Sequence, residues 1–245
     1  MSSVTNSVRI GSGTKIHITP SATDHESDLG QPIYAVNWFD LKRSWLYNLY
    51  GILAYPHVRK VGGRIHFKGV LKEKWEGLPE LDRDNLLIVR YPDAESFLSM
   101  LSSKIFLLKS LLRINAVTDF VFGFTRRVDN GPDPVGKSGK YAGSSCYLVH
   151  IFSNGNNGNG KPVVDQIRAL KTENNQILHF FGLKTATIGR SKDGGQIKDN
   201  PFFIDGILVW EAGEIQALKQ LIYSLGYQQF KIPFRNQIYL FHRVY

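Results

Sequence analysis

Asn37 interrupts the aromatic and β-branched run Ile33-Tyr34-Ala35-Val36-Asn37-Trp38-Phe39. A buried carboxamide must find hydrogen bonds or incur a penalty of roughly 1–3 kcal/mol. Asn37 is therefore a candidate catalytic group, the plain alternative being that it faces solvent or bonds a nearby loop. Arg64 and His66 share one face of a second strand, and Arg90 lies on a third. Two guanidinium groups and an imidazole together would recognise a carboxylate or an enolate, with Arg64 and Arg90 as ligand-binding residues and His66 as a catalytic one. The alternative is an exposed sheet margin. Tyr47 and Tyr50 share a face of the first helix. Tyr50 joins the ligand-binding group, against the reading of core packing with its hydroxyl at the surface.

Other chemistry-bearing residues assemble less well. His57 follows Pro56 at a helix end, where an imidazolium complements the C-terminal dipole. His150 takes the strand position of Asn37 in the second half, and His179 and His242 lie elsewhere there; none has a partner at metal-ligand spacing, so no metal site is expected. Gly131-Pro132-Asp133-Pro134-Val135-Gly136-Lys137-Ser138 satisfies the literal phosphate-loop spacing, but two prolines remove donors from the cradle and Gly139 stands where a helix should begin. Cys146 is the only cysteine, which excludes an intrachain disulfide and cysteine-rich metal or iron–sulfur sites, and points to a reduced, cytoplasmic setting.

Thirty basic residues against 21 acidic ones give a formal charge of +9 and a pI near 9.5, which suits an anionic partner: nucleic acid, a membrane surface or an acidic small molecule. The basic residues fall in short clusters such as Arg59-Lys60 and Arg126-Arg127, so a nucleic-acid partner is not expected. Residues 1–28 lack the apolar stretch of a secretory signal, and no window reaches the roughly 18 uncharged apolar residues of a membrane span.

The elements that must position these groups follow from periodicity. The Ile33–Phe39 run reads as a buried strand, and Lys42–Lys60 as a helix with Trp45, Leu46, Leu49, Tyr50 and Leu53 on one stripe, bent near Pro56 and stopped by Gly62-Gly63. Arg64–Val70 and Asn85–Tyr91 read as strands around a polar connection, Pro92-Asp93 caps a helix from Ala94 to about Asn115, and Phe120–Phe124 is a fourth strand. After a Gly- and Pro-rich stretch the order βαββαβ recurs: strand Cys146–Phe152, helix Pro162–Phe181, strands Thr185–Arg190 and Phe202–Trp210, helix Glu214 to about Tyr227, strand Gln237–Tyr245. Tyr34 falls on Tyr147 and Asn37 on His150 when the halves are superposed. The expected organisation is a polar tail over 1–30, a first domain over 31–128, a linker over 129–145 and a degenerate second copy over 146–245.

The stretch Leu49 to Arg64, ending in Gly62-Gly63-Arg64, together with Leu87 to Phe97, which contains Tyr91-Pro92-Asp93, resembles a family of small bacterial domains of unknown function in the ferredoxin-like dimeric α+β barrel superfamily. The second half matches by element order only: Glu211-Ala212-Gly213 replaces Tyr91-Pro92-Asp93, and no Gly-Gly-Arg precedes its second strand. The resemblance implies an α+β fold of tandem ferredoxin-like repeats whose antiparallel sheets face each other within one chain, an intramolecular pseudo-dimeric barrel. Relatives in that superfamily include cofactor-independent monooxygenases, haem-degrading monooxygenases and isomerases. The haem-degrading members combine a strand Asn with a Trp and a His on the second helix; Phe97–Ser110 holds neither, so that activity is not implied.

The combined expectation is a small-molecule pocket protein, monooxygenase- or isomerase-like if it is an enzyme, taking an apolar or aromatic acidic compound without a cofactor, as a monomer or dimer. The competing readings are an RNA-binding module, which shares the βαββαβ order but needs stacking aromatics that Asn85–Tyr91 lacks, and a non-catalytic assembly protein. The pocket is expected in the first half, with Lys184, Ala186 and Trp210 standing where Arg64, His66 and Arg90 stand in it.

Overall fold

The computed structural model describes residues 6–10, 14–18, 31–76, 82–127, 146–153, 177–182, 188–190, 206–224 and 235–243. Within the expected tail, β1 (Asn6–Ile10) and β2 (Thr14–Ile18) pair as an antiparallel hairpin. Then come β3 (Ile33–Leu41), α1 (Ser44–Lys60), β4 (Arg64–Glu76), β5 (Asn85–Tyr91), α2 (Ala94–Ser102), α3 (Lys104–Ala116) and β6 (Val117–Arg127). The remaining described elements are β7 (Cys146–Ser153), β8 (Ile177–Gly182), β9 (Ile188–Arg190), β10 (Gly206–Ala212), α4 (Ile215–Ser224) and β11 (Arg235–Arg243).

Eight strands pair in a closed antiparallel cycle: β3, β5, β4, β11, β7, β10, β8 and β6, with β6 returning to β3. Closure removes the edges that would otherwise template aggregation. The period-two alternation of each strand decides what lies inside. Tyr34, Val36 and Trp38 of β3 and Leu86 and Ile88 of β5 meet Tyr147, Val149 and Ile151 of β7 in one buried cluster, closed by Tyr239 and Phe241 of β11. The intervening residues Ala35, Val89 and Tyr91 point the other way and pack beneath Phe97, Met100 and Phe106 of α2 and α3. Trp38 donates from Nε1 to the Arg83 carbonyl at 3.2 Å, and Tyr239 donates to Asp82 Oδ1 at 2.9 Å, so the segment leading into β5 is tied to strands from both ends of the chain.

The Gly62-Gly63 and Tyr91-Pro92-Asp93 signatures meet in space. Gly62 has φ +76°, and a Cβ there would lie 2.8 Å from Pro92 Cγ; a Cβ on Gly63 would lie 2.6 Å from Val58 Cγ1 and 3.0 Å from Tyr91 Cε1. Asp93 accepts from the Ser96 amide at 2.7 Å and so caps α2. Both motifs therefore build the scaffold.

Several local expectations change. The helix expected over 94–115 divides at Ser103, whose extended backbone ends α2 and whose hydroxyl accepts from the Phe106 amide at the start of α3, a side-chain bond that competes with helix continuation. Helix α1 runs through Pro56, and the Leu53 carbonyl in the turn before it accepts from Lys109 Nζ at 3.0 Å. β4 continues to Glu76 because β11 pairs with its second half, a partner that local alternation does not reveal. The helix expected over 162–181 is corrected at its end: Ile177–Gly182 is a strand held by β10, and 162–176 lies outside the described residues. Of the strand expected over 185–190, only Ile188–Arg190 is described.

Candidate functional site

The helix-facing side of β3, β5 and β6 is not fully covered by α1, α2 and α3, and a cavity of about 240 Å³ remains between them. Its floor is the sheet, with Ala35, Asn37, Leu87, Val89 and Phe122; Tyr47, Tyr50, Gly51 and Ala54 come from α1, and Phe106, Ser110 and Arg113 from α3. Such sites commonly measure roughly 300–1,000 Å³ for drug-sized ligands, so this one suits a compact molecule of a few rings.

Asn37 reaches the cavity because it stands out of phase with Val36 and Trp38, which face the barrel interior. Arg113 reaches it because Phe106, Ser110 and Arg113 recur at helical spacing on the inner face of α3. The two meet on the floor: Arg113 Nη1 donates to Asn37 Oδ1 at 3.3 Å. The Asn37 amide lies 3.4 Å from the Ala35 carbonyl and 3.5 Å from that of Leu87, long bonds that orient it. An Arg–Asn pair in a mostly apolar, aromatic enclosure, with Lys68 also on its lining, is suited to hold an anionic or enolic oxygen.

Burial pushes the Tyr47 phenol well above its ordinary range; the Arg113 charge opposes that shift and neighbouring Tyr50 adds to it. Tyr91 is raised in the same way, first by burial and then by Tyr50, again against Arg113. Tyr91 Oη lies 3.8 Å from Met100 Sδ. At neutral pH both phenols are protonated, hydrogen-bond donors rather than bases.

The five residues singled out in the sequence divide between the two faces of the sheet. Asn37 and Tyr50 line the cavity. Arg90 lies opposite Tyr34 on one side and Arg64 on the other, all on the barrel side, with Arg64 exposed at the surface. His66 occupies the irregularity between Ile65 and Phe67, its ring edge-on to Tyr34 at 5.2 Å. The sheet thus separates the Arg64–His66–Arg90 group from Asn37, and the cation at Asn37 is Arg113, which the sequence reading missed. Its signal was a basic residue on the same helical face as Phe106 and Ser110.

The strands after residue 145 carry different chemistry. Tyr147 lies opposite Glu211 in the β7–β10 register, and Tyr34 lies opposite Arg90 in the β3–β5 register. Tyr147 donates to Glu211 Oε1 at 3.3 Å, and both are buried. Lys184 and Ala186 lie outside the described residues. Burial raises the Cys146 thiol, which disfavours the thiolate. Among the described residues no group of His, Cys, Asp and Glu has the arrangement of a metal site, and no helix is long and apolar enough to cross a membrane.

No family model matches the sequence, and no curated protein matches it. Among solved structures, an anthrone oxidase-like protein aligns with 88% of this chain and 92% of its own length, at 9% identity and a TM-score of 0.54. A protein of unknown function from Rhodopseudomonas palustris aligns with 44% of this chain and 85% of its own, at 19% identity and a TM-score of 0.37. A mutant chlorite dismutase from Candidatus Nitrospira defluvii aligns with 87% and 92%, at 12% identity and a TM-score of 0.47. With its antiparallel strands and helix-covered outer face, the chain has an α+β fold similar to that of the anthrone oxidase-like protein.

Proposed function

We propose that the first-half cavity binds a compact aromatic compound bearing an acidic or enolisable oxygen, and that the protein oxidises it as a cofactor-independent, monooxygenase-like enzyme. The observation that carries this reading is the Asn37–Arg113 pair in a mostly apolar and aromatic enclosure, which Lys68 and Ser110 also line. The full-length likeness to an anthrone oxidase-like protein supports the fold-level part of it.

In such a reaction the ligand's methylene, acidified by a carbonyl conjugated with it through the aromatic ring, loses a proton to solvent to give an enolate, and that proton is recovered in the water formed. Arg113 and Asn37 hold the enolate oxygen while Tyr47 and Tyr50 border the ring, and the electron-rich carbon reduces dioxygen. One methylene and one dioxygen become one carbonyl and one water, so the substrate supplies every electron and no outside reductant is needed. The protein's share is to orient the ring, stabilise the developing oxyanion and exclude water.

We also propose that residues 31–128 and 146–245 are tandem ferredoxin-like halves, joined by 129–145, that close on each other as a pseudo-dimer. Support comes from reciprocal pairing. β4 pairs first with β5 and then with β11; β8 pairs with β10, and β9 and the end of β8 pair with β6. The sheet face on which an RNA-recognition module stacks bases is here filled by Tyr34, Val36 and Trp38, which favours the small-molecule reading over the RNA one.

The test is to add anthrone, as a tricyclic probe, to the purified full-length chain and follow both binding and dioxygen uptake. Saturable binding with one dioxygen consumed per carbonyl formed supports the proposal. Binding without uptake leaves a pocket protein that is not an oxidase, and absence of both sinks the reading. Light scattering at one chain mass supports the intramolecular barrel.

A further inference from the structure

We propose that the outer face of α1 and α3 docks on an anionic lipid surface and brings the cavity alongside it. Large apolar side chains stand in solvent on both helices: Trp45 is 66% exposed, Ile52 72%, Ile105 61% and Leu108 68%. Helical spacing places Trp45, Leu49 and Ile52 on one face of α1, with Arg59 and Lys60 continuing that face toward its end. The two helices are cross-linked by the Lys109–Leu53 bond, so their outer faces belong to one surface. A contiguous apolar patch of this kind marks an interaction site.

Charge decides the occupant. There is no acidic residue from Leu41 to Lys72 or from Ser96 to Thr118, while Lys42, Arg43, Arg59, Lys60 and Lys104 are basic and exposed. A second copy of this chain would bring these cations against one another with no carboxylate on either helix to meet them. An anionic bilayer offers both of the required partners, headgroup charge for the basic residues and acyl chains for Trp45, Ile52 and Leu108. Tyr55 and Ile114 belong to both surfaces: each lines the cavity and is partly exposed, so the cavity borders the docking face. An apolar ligand dissolved in the bilayer would then have a short route to Asn37 and Arg113. Docking stands on the surface alone; ligand delivery rests on the function proposed above.

The experiment is co-sedimentation of the full-length protein, without ligand, with vesicles of equimolar phosphatidylglycerol and phosphatidylcholine or of phosphatidylcholine alone. The expected result is binding to the anionic vesicles only, weakened by salt, with fluorescence quenched by brominated acyl chains. Trp38 and Trp210 are buried, and Trp75 is half-buried on β4 against Tyr223 and Lys219 of α4, so Trp45→Phe should remove most of that quenching. Ile52→Glu/Leu108→Glu should lower partitioning at least about tenfold, and each of Arg59→Gln and Lys60→Gln about fivefold, with melting temperatures unchanged. Equal binding to both vesicle types, or none, overturns the proposal. So does a dimer in light scattering that the Ile52→Glu/Leu108→Glu variant dissociates, since a second copy would then be the occupant. Titrating anthrone into the same variant in buffer separates the two readings: loss of vesicle binding with ligand binding intact supports docking, and vesicle binding by a wild-type chain that takes no anthrone fails only the cavity reading.

Discussion

Arg113 donates to Asn37 across 3.3 Å and 76 residues of sequence, joining α3 to β3 at the floor of the cavity. The pair sets both the polarity and the orientation of the site. Arg113→Met retains much of the aliphatic stem and removes the charge, so it should weaken binding of an acidic aromatic ligand by about 1.5–3 kcal/mol, the range for a hydrogen bond to a charged group. Asn37→Ala should cost about 1 kcal/mol of binding, because Arg113 then lacks its positioning acceptor. Isothermal titration on the two variants checks both values. Arg64→Ala and Arg90→Ala, on the other side of the sheet, should leave cavity binding unchanged.

The turn between α1 and β4 should be the least tolerant glycine pair in the first half. Gly62→Ala places a Cβ at positive φ and against Pro92, and Gly63→Ala drives one into Val58 and toward Tyr91. Each should destabilise the protein by about 1–3 kcal/mol in urea unfolding, without a specific effect on ligand affinity in the fraction that folds. A large loss of affinity at full stability would instead return this motif to the functional site.

Much of the first half was legible because its signals are local. β5 has the bounds expected from its apolar run, and α1 ends where Gly62-Gly63 said it would. What the sequence concealed was long-range. Whether Arg90 and Asn37 share a face depends on the phase of two neighbouring strands, and their pairing register puts Tyr34, not Asn37, opposite Arg90. Arg113 was overlooked because a lone arginine on an apolar helix reads as solvent-facing until the sheet beneath it is in place. In the same way, Ile177-Leu178-His179-Phe180-Phe181 fits a helix or a strand by spacing alone, and its pairing with β10 decides.

Alkaline pH should unfold the protein through its buried phenols. Burial raises Tyr47, Tyr91 and Tyr239 above the ordinary value of 10.0, and the bond to Asp82 raises Tyr239 further. Each phenol holds its proton more tightly when folded than when unfolded. Its contribution is therefore fully present below pH about 10 and is lost as pH rises from there toward the folded value, at about 1.4 kcal/mol per pH unit for each. Tyrosinate absorbance should grow first from exposed tyrosines and from these three only as circular dichroism falls. Ionisation of all 11 tyrosines with the fold intact would contradict the burial.

Gly51 offers a gain of stability. It lies inside α1, lines the cavity, and a Cβ there meets nothing within 4 Å. Gly51→Ala should raise stability by about 1 kcal/mol through helix propensity, read as a higher urea midpoint at unchanged slope.

The same open position gives the most direct measurement of where the ligand binds. Gly51→Phe adds a ring into the cavity from a helix that favours Phe over Gly, so the fold should persist while the space is lost. Isothermal titration of anthrone into the wild-type chain should show one saturable site, and into Gly51→Phe an affinity lower by at least about tenfold, with matching circular dichroism spectra. Equal affinity in the two proteins, or no binding by the wild type, would contradict the assignment of this cavity as the functional site.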